Sequence, residues 1–309
     1  KEGPTTEEKV EVIVELRQYF QLNVLLKVSR VPKATFFYTI KKVNKDGKNE
    51  EIIKQIIEIH EQNKGRYGYR RIQLELANRG YKVNHKKIRR IMNLLDIHGK
   101  TPRAKYKSYK GDQNGTCENI LLKKVVDETN HTTNYVRDFV TTLCNQKWTT
   151  DVSEFHIAAG KLYLSPILDM HNREIVSFNL SRNPSFNQTR EMLEKAFEKY
   201  NRLEGLIFHS DQGWQYQMSY YHQELKRRGI KQSMSRKGNC LDNSPMENFF
   251  AVMKNEMFYG DEYKFKSLEQ LEKAIIDYIN YYNLKRIMVK TKGLSPIVYT
   301  QQSFNQLIC

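Results

Sequence analysis

Long apolar runs are absent from this sequence. None approaches the ~20 residues that a membrane-spanning helix requires, and the opening Lys1-Glu2-Gly3-Pro4 is charged rather than signal-like. Cysteine is scarce: Cys117, Cys144, Cys240 and Cys309 lie far apart and form no C-x-x-C pair. That spacing argues against a disulfide scaffold and against a cysteine-type zinc site, and it suits a reducing compartment. A cytoplasmic protein with no membrane partner is expected. Acidic residues are the third shortage, 35 against 51 Lys and Arg, which leaves a net charge of +16 over 309 residues. With 39% hydrophobic and 28% charged residues the chain can still bury a core and stay soluble.

The positive charge is concentrated. Between His60 and Lys110 there are 15 Lys and Arg against three acids (Glu61, Glu75 and Asp96), a local balance of +12. Basic residues gathered in this way favour a polyanion, because each neutralised phosphate releases condensed counterions. A merely solvated basic surface is the plainer alternative.

Thr5 and Glu8 have capping-box spacing ahead of Val10, Ile13 and Val14, which predicts a first helix. Pro32 opens another, running to about Lys42. Asn44-Lys45-Asp46-Gly47 reads as a turn that closes this unit. Three short helices are predicted next. Ile52, Ile53, Ile56 and Ile57 mark the first, Ile72 and Leu76 the second with Gly80 at its end, and Ile88, Ile91, Met92 and Leu95 the third. Lys86, Lys87, Arg89 and Arg90 occupy the other face of that third helix, as in a helix-turn-helix reader. Gly99 to Gly115 is a basic, tyrosine-containing linker. Strand periodicity then appears at Trp148–Phe155, Leu162–Met170 and Glu174–Leu180, with Pro166 suggesting a bulge. A helix over Asn187–Asn201, a short strand ending at Asp211, a helix to Arg228, a strand over Ile230–Ser235 and a helix from Asn243 follow. The expected fold is α/β, a mixed five-stranded sheet flanked by helices and preceded by small all-α units. The predicted partition is 1–48 and 49–98 for two helical DNA-binding units, 99–144 for a linker and connecting segment, 145–262 for the core, and 263–309 for a final helix and tail.

Three acids on separate elements carry the chemistry: Asp151 in the first strand, Asp211 ending the fourth, and Glu247 in the first turn of a helix. Ligands collect at strand ends in α/β sheets, and three such carboxylates suit Mg²⁺. Two ions would activate an attacking oxygen and stabilise a leaving oxygen in phosphoryl transfer. Asp242-Asn243-Ser244-Pro245 supplies a helix start just before Glu247. Lys254 falls on the same helix face as Glu247, two turns on, placed to touch DNA. Glu154, Asp169 and Asp242 read first as structural acids or as groups that support the metal ligands, and His156 and His209 as packed or hydrogen-bonded rather than metal ligands.

The 35 residues between Asp211 and Glu247 match the spacing of Asp-Asp-Glu transposases and retroviral integrases. The strings Asn145-Gln146-Lys147-Trp148-Thr149-Thr150-Asp151, His209-Ser210-Asp211-Gln212-Gly213 and Cys240-Leu241-Asp242-Asn243-Ser244-Pro245-Met246-Glu247 are closer still. With Gly65-Arg66-Tyr67-Gly68-Tyr69-Arg70-Arg71 upstream, and Tyr281-Tyr282-Asn283, Arg286 and Gly293-Leu294-Ser295-Pro296 downstream, the chain resembles the OrfB transposases of the insertion-sequence-three family over nearly its whole length. Trp214 stands where many members carry a small residue.

The resemblance implies an RNase H-like core in which Asp151, Asp211 and Glu247 hold two Mg²⁺ ions, with Mn²⁺ as a substitute. It implies cleavage at an element end and attack by the freed 3′-hydroxyl on a second phosphodiester. The implied partners are the terminal inverted repeats, target DNA and further copies of the chain, in the bacterial cytosol. Lys254, Arg70, Arg71, Lys86, Lys87, Arg89 and Arg90 are the candidate DNA contacts. The first residue, Lys1, fits a frameshift fusion and a trimmed product equally. Two rivals stay open at this level: a nuclease of the same fold that hydrolyses without joining, and a DNA-binding regulator with a retired core.

Overall fold

A computed structural model describes residues 4–100, 117–127 and 132–308. The chain divides into two units, Lys1–His98 and Gly99–Cys309. Most of the basic linker expected at Gly99–Gly115 lies outside the described residues.

The first unit is helical. Helix α1 (Thr6–Leu16) starts with the expected capping box, the Thr5 hydroxyl accepting from Glu8 N while Thr5 N donates to the Glu8 carboxylate. Helix α2 (Leu22–Ser29) ends at Arg30 in the left-handed region. Helix α3 (Lys33–Gln62) is a single helix of 30 residues. It runs straight through Asn44–Gly47, where a turn was expected. No proline interrupts it, and a lone Gly47 costs only about 1 kcal/mol relative to alanine, so packing at both ends decides. Phe36 closes a core with Val10, Ile13, Leu26 and Val31. Ile52, Ile56 and Ile59 at the far end are buried where α3 meets α4 (Tyr69–Asn78) and α5 (His85–Leu94). Two packing groups therefore share one helix. Asn84 caps α5 through Lys86 N, and Gly80 after α4 has a φ of +88° with open space around it, a requirement of conformation rather than of room.

The second unit is built on a mixed sheet. Strands β3 (Lys147–Thr150), β4 (Ser153–Ile157), β5 (Gly160–Asp169) and β6 (Ile175–Ser181) are antiparallel neighbours through β5. Strands β7 (Ile207–Ser210) and β8 (Lys231–Met234) extend the sheet in parallel from β3. Thr150 faces Ile167 and Ser153 faces Leu164, so β3 and β4 follow one register along β5. They are one strand position, broken at Asp151-Val152, and the sheet has the expected five positions in six segments. Continuing the register sets Asp151 opposite Pro166, which has no amide hydrogen for a ladder. The irregularity in β5 falls one residue beyond Pro166, between Ile167 and Leu168.

Helices cover both faces. Helices α6 (Phe186–Lys199) and α7 (Ser219–Arg227) bury Met192, Leu193, Phe197 and Leu225 against Trp148, Ile167 and Phe208. On the other face, α8 (Ser244–Met257) and α9 (Leu268–Leu284) bury Met246, Phe249, Met253, Leu271, Ile275 and Tyr282 against Phe155, Leu164 and Leu168. Helix α10 (Pro296–Ile308) follows. The segment read as connecting chain holds a hairpin, β1 (Leu122–Asp127) with β2 (Thr132–Arg137).

Candidate active site

Strands β3 and β7 run parallel with Thr149 opposite His209. Two residues further on, the same register brings Asp151 level with Asp211, just past two strand ends that are about 4.8 Å apart. Each carboxylate is fixed by the backbone that follows it. Val152 N donates to Asp151 Oδ1 at 2.7 Å, and Gly213 N donates to Asp211 Oδ1 at 2.9 Å. Both residues are half-buried, as is Glu247.

Glu247 is brought to them by Asn243. This residue occupies the N-cap position of α8, but its side chain makes no cap hydrogen bond. It reaches back to the sheet instead. The Thr149 hydroxyl donates to Asn243 Oδ1, and Asn243 Nδ2 donates to the Thr150 carbonyl at 3.1 Å. Asn243 is 3% exposed, so the first turn of α8 is locked to the end of β3 one residue before Asp151. The opposite side of α8 is held by Glu256, which accepts from Arg286 (2.8 Å from Nη2) and from the Tyr278 hydroxyl (2.9 Å), all three buried. Asn283 pairs in both directions with the Ile175 backbone at 2.9 Å, docking α9 on β6. The Tyr-Tyr-Asn and arginine motif near the C-terminus thus serves as the back support of α8.

The electrostatics report the convergence. Burial, then the Asp211 charge and, more weakly, that of Glu247 push the Asp151 carboxyl up to about 8, against the pull of Val152 N–H and Lys254. Burial also raises Asp211, against the Gly213 amide. Lys254 is half-buried, donating to the Glu154 carbonyl at 2.8 Å with its ammonium 4.9 Å from the centre of the Phe155 ring. Burial lowers its pKa, while Glu154 and Asp151 oppose that shift. Among the described residues no three potential ligands are close enough to enclose one ion as they stand. Like-charged carboxylates without a counterion repel, so neighbours rather than a closed cage are the expected geometry. Their donor set, hard and partly open carboxylate oxygens, fits Mg²⁺ or Mn²⁺.

Of the other acids and histidines weighed from the sequence, Asp242, Asp169, Glu154 and His209 have partners within the fold. Asp242 is 1% exposed, and burial would raise its carboxyl, but hydrogen bonds from Arg236 and Arg137 outweigh that and hold it low. Asp169 is buried and accepts from Asn145 N, His171 N and the Trp148 indole. Glu154 pairs with Lys161 on the surface, and His156 is exposed. His209 lies between the Ser233 and Ser235 hydroxyls (2.9 and 3.0 Å), with burial lowering its pKa to about 4.

In the helical unit, Lys86, Arg89, Arg90 and Arg70 are exposed and Lys87 and Arg71 are half-buried. The guanidinium groups of Arg70 and Arg89 both approach the Tyr69 ring, at 5.7 and 5.9 Å, and that ring lies 6.3 Å from His85. Arg71 turns to buried Tyr67 at 4.9 Å. Sequence reasoning singled out the three acids and read Asp242-Asn243-Ser244-Pro245 only as a helix start, because the long-range bonds of Asn243 to β3 have no sequence signature.

A mixed sheet with helices on both faces, acids at two adjacent parallel strand ends and a helix-turn-helix-like unit upstream define a nucleic-acid enzyme of the transposase and integrase type. Residues 142–240 and 247–304 each match the family described as Integrase core domain, and residues 48–105 match the HTH-like domain. The chain is 44% identical over 295 residues to the putative transposase InsK for insertion sequence element IS150 of Escherichia coli, covering 96% of this chain and 99% of that one. It is 50% identical over 226 residues to an uncharacterized transposase-like protein of Haemophilus influenzae, covering 72% and 96%. Transposase InsF for insertion sequence IS3A of Escherichia coli is 27% identical over 92% of this chain and 96% of its own. Among solved structures, the HTLV-2 integrase catalytic core domain in complex with magnesium aligns with a TM-score of 0.40 and 18% identity, over 50% of this chain and 94% of that one. The chain belongs to the insertion-sequence-three family of transposases.

Proposed function

We propose that Asp151, Asp211 and Glu247 bind two Mg²⁺ ions, or Mn²⁺ in their place, and that the chain cuts DNA at the ends of its element and joins them elsewhere. The observation that carries this reading is the level placement of Asp151 and Asp211 on adjacent parallel strands, with the Glu247 charge felt at Asp151. When bound, the ions supply the positive charge that activates the attacking oxygen and stabilises the leaving oxygen.

In the first reaction a water oxygen bonds to phosphorus, the bond from phosphorus to the 3′-oxygen breaks, and a 3′-hydroxyl is left. In the second that hydroxyl oxygen attacks a phosphodiester of another strand or the other end. The target's own 3′-oxygen leaves and the attacking proton passes to solvent. Asn243 keeps Glu247 at the strand ends through both steps. Lys254 adds a cation beside Asp151 and faces the DNA strand being cut. Residues 1–98 hold the element's terminal repeats through Arg70, Arg71, Lys86, Lys87, Arg89 and Arg90, whose charges neutralise phosphates. Residues 145–262 form the core, and 263–309 back it. Target DNA and other copies of the chain complete the assembly, in the cytoplasm. Among the described residues no helix is long and apolar enough to cross a membrane.

The test uses labelled element ends with Mg²⁺. Asp151→Ala, Asp211→Ala and Glu247→Ala should each abolish cutting and joining while leaving DNA binding in place. Full activity in any of the three variants overturns the assignment. Pre-cleaved ends that are never joined would instead support a hydrolytic nuclease.

A further inference from the structure

The β1–β2 hairpin is not a loose appendage. Its base lies along the end of β8, with Met234 N donating to the Glu118 carbonyl at 3.3 Å and Ile120 N to the Ser233 hydroxyl at 3.0 Å. The buried Asp242 carboxylate ties the same region together. It accepts from Asn119 at 3.1 Å and from Arg137 at 2.8 Å on the hairpin side, and from both Nε and Nη2 of Arg236 at 2.9 Å on the core side. Three side chains from three segments are thereby fixed around one buried charge.

Between hairpin and core this frame leaves a cavity of 320 Å³, whose walls include Tyr135, Gln212, Ser235, Arg236 and Lys237. That volume lies at the small end of ligand pockets, which run from roughly 300 to 1,000 Å³, and it suits a single nucleotide rather than a duplex. Its wall is continuous with the catalytic strand end. Gln212 follows Asp211 directly, Ser235 N donates to the Ser210 carbonyl at 2.8 Å, and Gln212 Nε2 donates to the Ser235 carbonyl at 3.0 Å. Tyr135 is 53% exposed, with the Arg236 guanidinium 5.8 Å from its ring centre. An exposed aromatic ring beside a fixed guanidinium plane is a stacking platform for a base. Exposed Lys237 adds a cation for the adjoining phosphate.

We propose that this cavity receives one unpaired nucleotide of the DNA strand beside the scissile position, its base stacked on Tyr135 and Arg236 and its phosphate held by Lys237. The inference rests on the DNA-cleaving function proposed above. It adds a site that would hold the strand next to Asp211 after local melting, so that duplex ends that fray easily are preferred.

The test measures binding of the full chain in Ca²⁺, without cleavage, to three DNA probes: a blunt duplex, the same duplex with one unpaired terminal nucleotide, and the same overhang lacking its base. Wild type should bind the base-containing overhang about tenfold more tightly than the abasic one, the size of one base–aromatic stacking contact. Tyr135→Ala should erase that difference and leave blunt-duplex affinity unchanged, Tyr135→Phe should keep it, and Lys237→Ala should weaken both overhang probes equally. Duplex binding with no preference for the base, or a preference that survives Tyr135→Ala, overturns the pocket while leaving the DNA reading intact. No binding to any probe overturns both.

Discussion

Asp151 has a raised carboxyl because partial burial and two neighbouring acids disfavour its charge, and that has a consequence for stability. Its pKa goes from an ordinary 3.8 to about 8 in the folded chain. Between those values the folded state holds a proton that the unfolded state has released, so the stability contributed by this group falls as pH rises through that window. Asp151→Asn should therefore raise the melting temperature of the metal-free protein more at about pH 8 than at about pH 5, by about 2–4 °C for each kcal/mol of repulsion relieved. Adding Mg²⁺ near pH 8 should stabilise wild type and leave the variant unmoved. Equal effects at both pH values, with Mg²⁺ stabilising both proteins, would remove Asp151 from the proposed metal site. The three acids were legible in the sequence from their spacing and flanking strings. Their mutual repulsion was not, since it depends on strand register.

Helix α8 carries Glu247 and Lys254, and its position is set by contacts to elements distant in sequence. Asn243 bonds to Thr149 and Thr150 in β3 at one end. The Glu256–Arg286 pair joins the helix to the chain after α9 further along. In Asn243→Ala the Thr149 hydroxyl and the Thr150 carbonyl lose their partner in a buried place. That should cost about 1–3 kcal/mol for each group left unsatisfied, measurable as a lower urea midpoint at unchanged slope. Cutting activity should fall further than stability alone accounts for, because the first turn of α8 is no longer held beside Asp151. Asn243→Ala with wild-type stability would end the clamp assignment. The helix start at Asp242-Asn243-Ser244-Pro245 announced this helix, yet the long-range bonds that aim it left no local trace. The break between β3 and β4 was equally hidden, since Trp148 to Phe155 reads as one strand. The missing amide of Pro166 opposite Asp151 was visible only as a hint of irregularity.

For the whole chain, charge is distributed by task. The helical unit carries most of the excess, while the core places acids at its strand ends and cations such as Lys237 and Lys254 around them. Binding to element ends should weaken linearly in log K against log salt, with a slope near −0.9 for each phosphate neutralised. Replacing Arg89 and Arg90 together by alanine should reduce the size of that slope by about 2, read by titration at several salt concentrations. An unchanged slope would take α5 out of phosphate contact. The continuous helix α3 shows why the turn at Asn44–Gly47 was misread. Local composition there favours a turn, but apolar residues on both sides bury only if the helix is unbroken.

By itself the sequence determined the class of the protein. Spacing between acids, helix and strand periods and the local strings around Asp151, Asp211 and Glu247 are all properties of residues near one another along the chain. Tertiary structure alone decided which side chains meet. Parallel register set Asp151 level with Asp211, Asn243 at the head of α8 became a clamp to β3, and a segment read as connecting chain became a hairpin walling a cavity beside the strand end that carries Asp211. Those outcomes follow from hydrogen bonds and burial between residues up to about a hundred positions apart, as in Thr149 and Asn243, which no local pattern records.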